Sequence, residues 1–324
     1  MHKGQIKEYY ALIYYFLLAF LISYTVRQDQ FNYGLDEATD FRSYYNFISA
    51  DEISETYDSE FLFFLIIRSL YTLLGDEWLV FFTLDMVYFT LVYLSVKKLT
   101  MRWPTVGSNS TIIVLLLNIL LFSNIAGIHN IYRQFISSAV ILYSISNLLN
   151  KKFILGFSFL VISIFIHNAN LLFIPVFIFL LFKSTLMTVF TSVILSYYIL
   201  NINTLNIEQR SRDFNTNEQG VKITAFYIAC YVSILLFSLI IKGRKKDKSI
   251  YVFLISNFII YLAGVIAFST GVSERVFFLH ISVFFPICFV YFHSLVRERL
   301  AFGQLVLACL IFYLIAVNRD MITI

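Results

Sequence analysis

A carboxylate and a tyrosine stand at helical spacing shortly after the first apolar run of the chain. In GLDEATDFRSYYNFI (34–48), Asp40 and Tyr44 are four residues apart, so they would share a face of a helix lying on a membrane. A carboxylate there suits a base that takes the proton of a sugar hydroxyl, and a tyrosine ring suits a platform for a sugar ring. The alternative is an amphipathic surface helix whose acids face water.

Arginines and their polar neighbours form a second group of candidates. In GIHNIYRQF (127–135), His129 and Arg133 are four residues apart and Gln134 is adjacent. Arginine binds phosphate through two parallel hydrogen bonds and keeps its charge when partly desolvated. The alternatives are arginines that snorkel from helix ends, a solvated loop, and an internal ion pair. The same considerations apply to four charged residues further along the chain: Arg210, Arg212, Glu274 and Arg275.

Two further polar residues belong to long apolar segments. His167 interrupts FILGFSFLVISIFIHNANLLFIPVFIFLLF (153–182), where lipid would offer no water to a polar group. We therefore expect it to hydrogen-bond either the fold or a substrate. Asp58 precedes EFLFFLIIRSLYTLLG (60–75), where its charge would stabilise a helix N-terminus or contact a substrate.

Several enzyme classes find no support in the sequence. No GxSxG, HExxH, CxxC or Walker motif occurs in a usable context, which disfavours a protease, an ATPase and a metal hydrolase. Three cysteines lie in apolar runs, so neither a disulfide framework nor a metal site is indicated. We expect no metal and no cofactor. The net charge of +4 does not indicate a nucleic-acid partner, because in such an apolar chain the placement of charge matters more than its sum.

The composition places all these candidates in a membrane protein. The chain is 59% hydrophobic and only 14% charged, whereas globular domains are nearer a quarter charged. Apolar runs of membrane-spanning length recur from end to end, including TIIVLLLNILLF and SIYVFLISNFIIYLAGVIAF. The first run, YYALIYYFLLAFLISYTV, has no small-residue cleavage site and is interpreted as a retained signal anchor. The fold class predicted is an all-α polytopic membrane protein that forms a single transmembrane domain over 1–324.

The distribution of lysines sets the predicted topology. If 60–75 lies in the membrane surface and 153–182 is divided near His167, then 11 of the 12 lysines fall on the cytoplasmic side, as the positive-inside rule requires. The other assignments move basic clusters such as KGRKKDK (242–248) outside. The divided assignment gives roughly eleven crossings, within a range of about 10–12, and a cytoplasmic N-terminus. It also gives two outer loops as substrate-facing elements, 27–76 with its interfacial helix and 201–222.

In this topology the outer face is rich in arginine and acid. Every basic residue predicted there except Lys222 is an arginine, and 9 of the 20 acids fall within residues 27–60. Arginines beside carboxylates suit a phosphate-bearing substrate. The alternative is that arginine is tolerated outside while lysine is retained inside. The outer arginines are Arg27, Arg42, Arg68, Arg133, Arg210, Arg212, Arg275 and Arg319.

Four pieces in order, DFRSYYNFI, DSEFLFFL, NIYRQFISSAVIL and FIHNANLLFIP, resemble a family pattern. The series is similar to the EpsG family of exopolysaccharide polymerases, relatives of the Wzy-type polymerases of O-antigen and capsule synthesis. It covers about residues 36 to 180, and SERVFF resembles an arginine-aromatic element near the family's C-terminal end. The residues that match are Asp40, Phe41, Tyr44, Asp58, Phe61, Asn130, Arg133, Gln134, His167, Ala169 and Pro175.

The resemblance implies a glycosyltransferase with a GT-C-like architecture in the bacterial cytoplasmic membrane. Such a polymerase transfers a glycan from undecaprenyl pyrophosphate onto the non-reducing end of another lipid-linked repeat unit at the outer face. Its expected partners are that lipid-linked oligosaccharide, the bilayer and a chain-length regulator. A divalent cation in the acid-rich outer loop stays open.

The resemblance also suggests roles for the candidate residues. Asp40 or His167 would activate the acceptor, with Asp40 favoured. Arg133, which completes the catalytic group, and Arg275 would hold the pyrophosphate, together with Arg210 or Arg212. The expected substrate-binding residues are Arg275, Arg210, Arg212, Asp58, Tyr44, His129, Gln134 and Glu274.

Other functions fit parts of the same pattern. A glycosyltransferase using a single polyprenyl-phosphate sugar would share the outer-face architecture. A transporter of the lipid-linked oligosaccharide would need charges deep in several helices, and here Asp85 is the clearest mid-helix charge. A membrane acyltransferase would account for His167 alone.

Overall fold

The computed structural model describes residues 3–32, 44, 47–48, 61–103, 111, 114–115, 118–119, 132–202, 232, 248–267, 279–280 and 282–291. Every regular element in these ranges is a helix, and they contain no strand. The prediction of an all-helical chain is therefore confirmed for this part. The number of membrane crossings, the GT-C-like arrangement and the single domain stay predictions.

The helices follow one another with short connections in two stretches of the chain. Contacts divide the chain into two compact units, Met1–Asn168 with Ser282–Ile324, and Ala169–Ile281. In the first unit the helices are α1 (Lys3–Asn32), α2 (Phe61–Leu74), α3 (Glu77–Arg102), α4 (Tyr132–Leu149) and α5 (Phe153–Ile166). A 3₁₀ helix (Asn168–Phe173) follows, and the second unit contains α6 (Ile174–Phe182), α7 (Thr185–Ile202) and α8 (Lys248–Ala267). A last helix, α9 (Ser282–Tyr291), belongs to the first unit.

Many large apolar side chains lie on the surface of the helices, with Ile154 on α5 87% exposed and Leu186 on α7 80% exposed. The interior is mainly apolar and also holds serines and asparagines, among them Ser144 and Asn147 on α4. Exposed apolar side chains together with small and polar residues at helix contacts are typical of helices in lipid. Among the described helices, α3 is long and apolar enough to cross a membrane by length and composition.

A tight reversal joins α2 to α3. Gly75 adopts a φ of 68°, which glycine accepts without steric cost, and Asp76 caps α3 by accepting the Leu79 N–H at 2.9 Å. Within the predicted segment 60–75, Phe61–Leu74 thus forms a helix of its own, distinct from α3. Its placement in the membrane surface stays a prediction.

The helices α4 and α5 form an antiparallel hairpin. A turn over residues 150–152 reverses the chain, with Lys151 at a φ of 62° and the Lys152 N–H bonded to the Asn147 carbonyl at 2.9 Å. Tyr143 packs its ring on Phe159 with centroids 4.8 Å apart. Ser144 Oγ donates to the Gly156 carbonyl, so the two backbones approach closely here.

The predicted break near His167 is present. The helix α5 ends at Ile166, and His167 has extended backbone angles of −154° and 116° while its N–H still bonds the Ser163 carbonyl at 2.9 Å. Pro175 then lies in the first turn of α6, where its missing N–H costs no helical hydrogen bond. Asparagine side chains compete with backbone helical bonds, so HNAN is a natural interruption.

In the second unit, small polar residues line the contact between α7 and α8. Ser192 on α7 lies 2.8 Å, oxygen to oxygen, from Ser256 on α8, and both are buried. Thr188 lies one turn before Ser192 and Ser196 one turn after it, on the same face of α7, and both are buried. Residues of this size let two helix backbones pack closely in an apolar surround.

A methyl group at Gly156 should open the α4–α5 hairpin. A Cβ there would lie 2.5 Å from the Leu148 side chain and 3.2 Å from the Ser144 carbonyl oxygen. We expect Gly156→Ala to lower the free energy of unfolding by about 1–3 kcal/mol. The measurement is the midpoint of thermal unfolding of the purified chain in detergent. Ser158→Ala, on the exposed side of α5, should leave that midpoint in place, and equal midpoints for both variants would contradict the close approach.

Candidate functional site

Two residues that the sequence singled out separately, Arg133 and Tyr44, are in direct contact. The Arg133 Nε–H donates to the Tyr44 hydroxyl oxygen at 3.0 Å, although the residues are 89 positions apart. The guanidinium carbon lies 5.7 Å from the ring centroids of both Tyr44 and Phe64, within the range of a cation–π interaction. Arg133 is half-buried. Its planar head is therefore held at a defined position near the start of α4.

Tyr44 reaches Arg133 from inside an aromatic cluster. Its ring is fully buried and lies 5.2 Å from Phe63, 6.2 Å from Phe64 and 6.5 Å from Phe81, centroid to centroid. These contacts come from α2 and α3, so both helices fix the phenol. Its role as a stacking platform for a sugar stays a prediction, whereas its role as hydrogen-bond acceptor for Arg133 is observed.

A fully buried ion pair lies beside this cluster. The Arg27 guanidinium on α1 donates two hydrogen bonds to the Asp85 carboxylate on α3. Nε donates to Oδ2 at 2.9 Å and Nη2 donates to Oδ1 at 2.8 Å. Both side chains have no solvent exposure. Ser23 Oγ donates to the same carboxylate, and the Tyr132 hydroxyl on α4 lies 2.9 Å from Oδ1. One carboxylate thus joins three helices.

This pairing corrects the place expected for Arg27. The sequence put it among the outer-face arginines suited to phosphate, at the start of the loop 27–76. Instead, α1 continues through Asn32, and Arg27 is buried against Asp85. The physical reason is that a carboxylate in the middle of an apolar helix needs a counter-ion, because a lone buried charge costs several kcal/mol. The sequence signal was present in Asp85, but its partner lies 58 positions away.

The hairpin brings His167 to the same end as Arg133. Tyr143 packs on Phe159 and Ser144 bonds Gly156. Continuing this antiparallel register toward the start of α4 places Arg133 and Gln134 level with His167. Packed helix axes lie about 8–10 Å apart. The register therefore places two predicted catalytic residues, Arg133 and His167, at the same end of one hairpin. His167 is half-buried there.

The other predicted residues divide into one that is buried and seven outside the described ranges. Gln134 is 6% exposed, and its carbonyl accepts the Ser137 hydroxyl at 3.0 Å. In the described part of the chain, no group of three or more His, Cys, Asp or Glu side chains is arranged to hold a metal ion. The predicted residues outside the described ranges are Asp40, Asp58, His129, Arg210, Arg212, Glu274 and Arg275.

Arg133 is half-buried and is held by the hydroxyl of Tyr44 and by the rings of Tyr44 and Phe64. It is suited to bind an anionic group, because the guanidinium retains its charge there and offers a planar fork of donors. The comparison with known families decides what kind of protein carries it. The model of the EpsG family matches residues 8–322. The chain belongs to the EpsG family. The match extends the resemblance seen over residues 36 to 180 to nearly the whole chain.

Membership of the EpsG family gives the general role. The family is one of glycosyltransferase-like polymerases in polysaccharide biosynthesis, and together with the apolar helices it makes this chain a membrane protein of that class. No curated protein and no solved structure matches the chain significantly.

Removing the charge of Asp85 should strongly destabilise the first unit. Asp85→Asn would leave the Arg27 guanidinium buried without its carboxylate, which costs about 3–5 kcal/mol. The double variant Arg27→Met with Asp85→Leu removes both charges and should recover most of that loss. Thermal unfolding in detergent measures the wild type, Asp85→Asn, the double variant and its two single variants, Arg27→Met and Asp85→Leu. Additive losses in the double variant would contradict the pairing, since two residues in contact should be coupled.

Proposed function

We propose that this protein polymerises lipid-linked repeat units at the outer face of the bacterial cytoplasmic membrane. The glycan on one undecaprenyl pyrophosphate is transferred to the non-reducing end of the repeat unit on another. The observation that supports this most is the fixed guanidinium of Arg133, held by Tyr44 and Phe64 in a chain of the EpsG family.

The leaving group explains the need for a held arginine. In the transfer, the acceptor hydroxyl oxygen forms a bond to the anomeric carbon while the bond from that carbon to the pyrophosphate oxygen breaks. The pyrophosphate leaves with the bonding electron pair, so negative charge develops on it. Donors that are already oriented stabilise such charge without reorganisation. Arg133 supplies two or more N–H groups in a plane, with its Nε already oriented by Tyr44.

The proton of the acceptor hydroxyl needs a base. We assign that role to Asp40, whose carboxylate stands four residues before Tyr44 in the sequence. His167 lies level with Arg133 in the hairpin and suits a hydrogen bond to the donor.

The remaining predicted residues fit a larger cradle around the two lipid-linked chains. The outer loop 201–222 would close over the bound substrates, and a chain-length regulator is the expected protein partner. Substrate contacts are assigned to Arg275, Arg210, Arg212, Asp58, His129, Gln134 and Glu274.

The buried charges favour an enzyme over a transporter. A transporter of the lipid-linked unit would need charged groups along a path through several helices. In the ranges that the structure describes, the fully buried charged side chains are Arg27 and Asp85, and they neutralise each other. A paired charge that joins three helices is a fixed structural element.

The variant Arg133→Ala should strongly reduce chain growth. Loss of one group that stabilises developing charge lowers turnover by about 10²–10³-fold. Purified protein is supplied with lipid-linked repeat units, and the products are resolved on a gel. The wild type should give a ladder of chain lengths, and Arg133→Ala should leave mainly single repeat units. Arg133→Lys should recover little of the activity, because lysine keeps the charge but loses the planar fork and the bond to Tyr44.

Arg102→Ala is the matched control, since this arginine is exposed at the opposite end of α3 from Asp76 and should not affect the ladder. An unchanged ladder in Arg133→Ala would exclude Arg133 from the site. In cells that carry Arg133→Ala, accumulation of incomplete lipid-linked units in place of single complete ones would show a transferase of one sugar instead of a polymerase.

Substitution of Asp40 and substitution of His167 should change different kinetic constants. Asp40→Asn removes the base and should lower kcat at least 100-fold with little change in KM for the acceptor. His167→Gln keeps a hydrogen-bonding side chain and should mainly raise KM for the donor. The measurement is initial rate against the concentration of each lipid-linked substrate. The reverse pattern would assign the base to His167.

A further inference from the structure

We infer that the buried carboxylate of Asp85 is a positioning residue that sets Arg133 in place through the hydroxyl of Tyr132. Its catalytic consequence rests on the proposed function, in which Arg133 holds the pyrophosphate. Its structural half rests on the contacts among α1, α3 and α4.

The first link is the fixed direction of the Asp85 carboxylate. Oδ2 accepts Arg27 Nε and Ser23 Oγ, and Oδ1 accepts Arg27 Nη2 and lies 2.9 Å from the Tyr132 hydroxyl. The Arg27 guanidinium carbon also lies 4.8 Å from the Tyr132 ring centroid and 5.7 Å from that of Phe81. A carboxylate with donors on both oxygens has one orientation, so its free rotation is lost.

The second link is Tyr132, the first described residue of α4. Its hydroxyl lies 3.0 Å from the Phe81 carbonyl oxygen as well as beside Asp85. Its ring is fully buried, with centroids 5.5 Å from Phe81 and 6.2 Å from Phe63. This end of α4 is thereby joined to α3 by a side chain that is both hydrogen-bonded and packed.

The third link is the step from Tyr132 to Arg133. Consecutive residues of a helix point about 100° apart, so anchoring the first fixes the direction in which the second leaves the backbone. Arg133 then meets Tyr44, whose ring contacts the same two phenylalanines, Phe63 and Phe81, that Tyr132 contacts. The backbone of Arg133, through Tyr132, and its guanidinium, through Tyr44, are therefore both positioned by the rings of Phe63 and Phe81.

An ion pair serves this purpose better than an apolar contact would. Apolar groups of the same volume often stabilise a fold as well or better, but they do not fix a hydrogen-bonding direction. Holding a catalytic group to within a fraction of an ångström has a large effect, since a misplacement of about 1 Å can cost 100-fold in rate. The charge in the core of the first unit is thus linked to the geometry of the site.

The test removes one hydroxyl and keeps the ring. Tyr132→Phe preserves the aromatic contacts and deletes both contacts of the hydroxyl, to Asp85 and to the Phe81 carbonyl oxygen. We expect turnover per folded protein to fall about 10- to 100-fold, with KM for the lipid-linked substrates within about twofold of the wild type. The matched control is Tyr15→Phe, which deletes another fully buried hydroxyl, bonded to the Phe89 carbonyl at 3.0 Å. Tyr15 joins α1 to α3 through Phe89 and belongs to none of the three links to Arg133, so Tyr15→Phe should keep full turnover.

A double-variant cycle shows whether Tyr132 acts through Arg133. In an Arg133→Ala background, Tyr132→Phe should cause no further loss of turnover. Independent, multiplicative losses would overturn the proposal. So would a turnover for Tyr132→Phe equal to that of Tyr15→Phe.

Hydrogen exchange separates a failure of this inference from a failure of the proposed function. If the wild type forms no chains from lipid-linked units, the proposed function fails, and the anchoring is decided by deuterium uptake alone. Uptake in the first turn of α4 should rise in Tyr132→Phe and not in Tyr15→Phe. Equal uptake in Tyr132→Phe and the wild type would overturn the anchoring.

Discussion

The salt bridge between Arg27 and Asp85 is the contact on which the first unit depends. A carboxylate removed from water is tolerated only where its charge is matched and its oxygens are satisfied, and here two guanidinium nitrogens, a serine and a tyrosine do both. Because these donors come from different helices, the requirement to satisfy one charge also dictates how α1, α3 and α4 meet. The apolar side chains around the unit contribute buried area, which stabilises the unit but has no direction of its own.

The two arginines of this region show how environment divides roles within one residue type. Arg27 is fully buried on a carboxylate and joins helices. Arg133 is half-buried, and its Nε donates to a neutral phenol that is itself fixed by phenylalanines. A guanidinium in the second environment suits a transferring pyrophosphate, because it is pre-oriented and lies at the accessible edge of the packed core. The two residues are linked through Tyr132, which is in contact with the first and adjacent in sequence to the second.

Local patterns of the sequence predicted the elements but not their partners. The separate helix at 61–74 and the break at His167 could be predicted, because charge, asparagine and proline act on the backbone nearby. Arg133 and Tyr44 were each singled out by type and spacing, yet their contact joins positions 89 residues apart. The partner of Asp85 was missed for the same reason, because Arg27 lies 58 positions away in the sequence, and Arg27 was therefore assigned to a loop. The close approach at Gly156 was also missed, since a single glycine in an apolar helix carries no sign of what packs against it.

In the proposed function, the Arg133 guanidinium holds the pyrophosphate of the lipid-linked donor. A cryo-electron microscopy structure of the full chain in a lipid nanodisc, with an undecaprenyl-pyrophosphate-linked repeat unit bound, would show whether it does. We expect a pyrophosphate oxygen at about 2.7–3.2 Å from a terminal nitrogen of Arg133, with the Nε–H still donated to Tyr44. A pyrophosphate bound at other arginines, with Arg133 turned away from it, would exclude this role of Arg133.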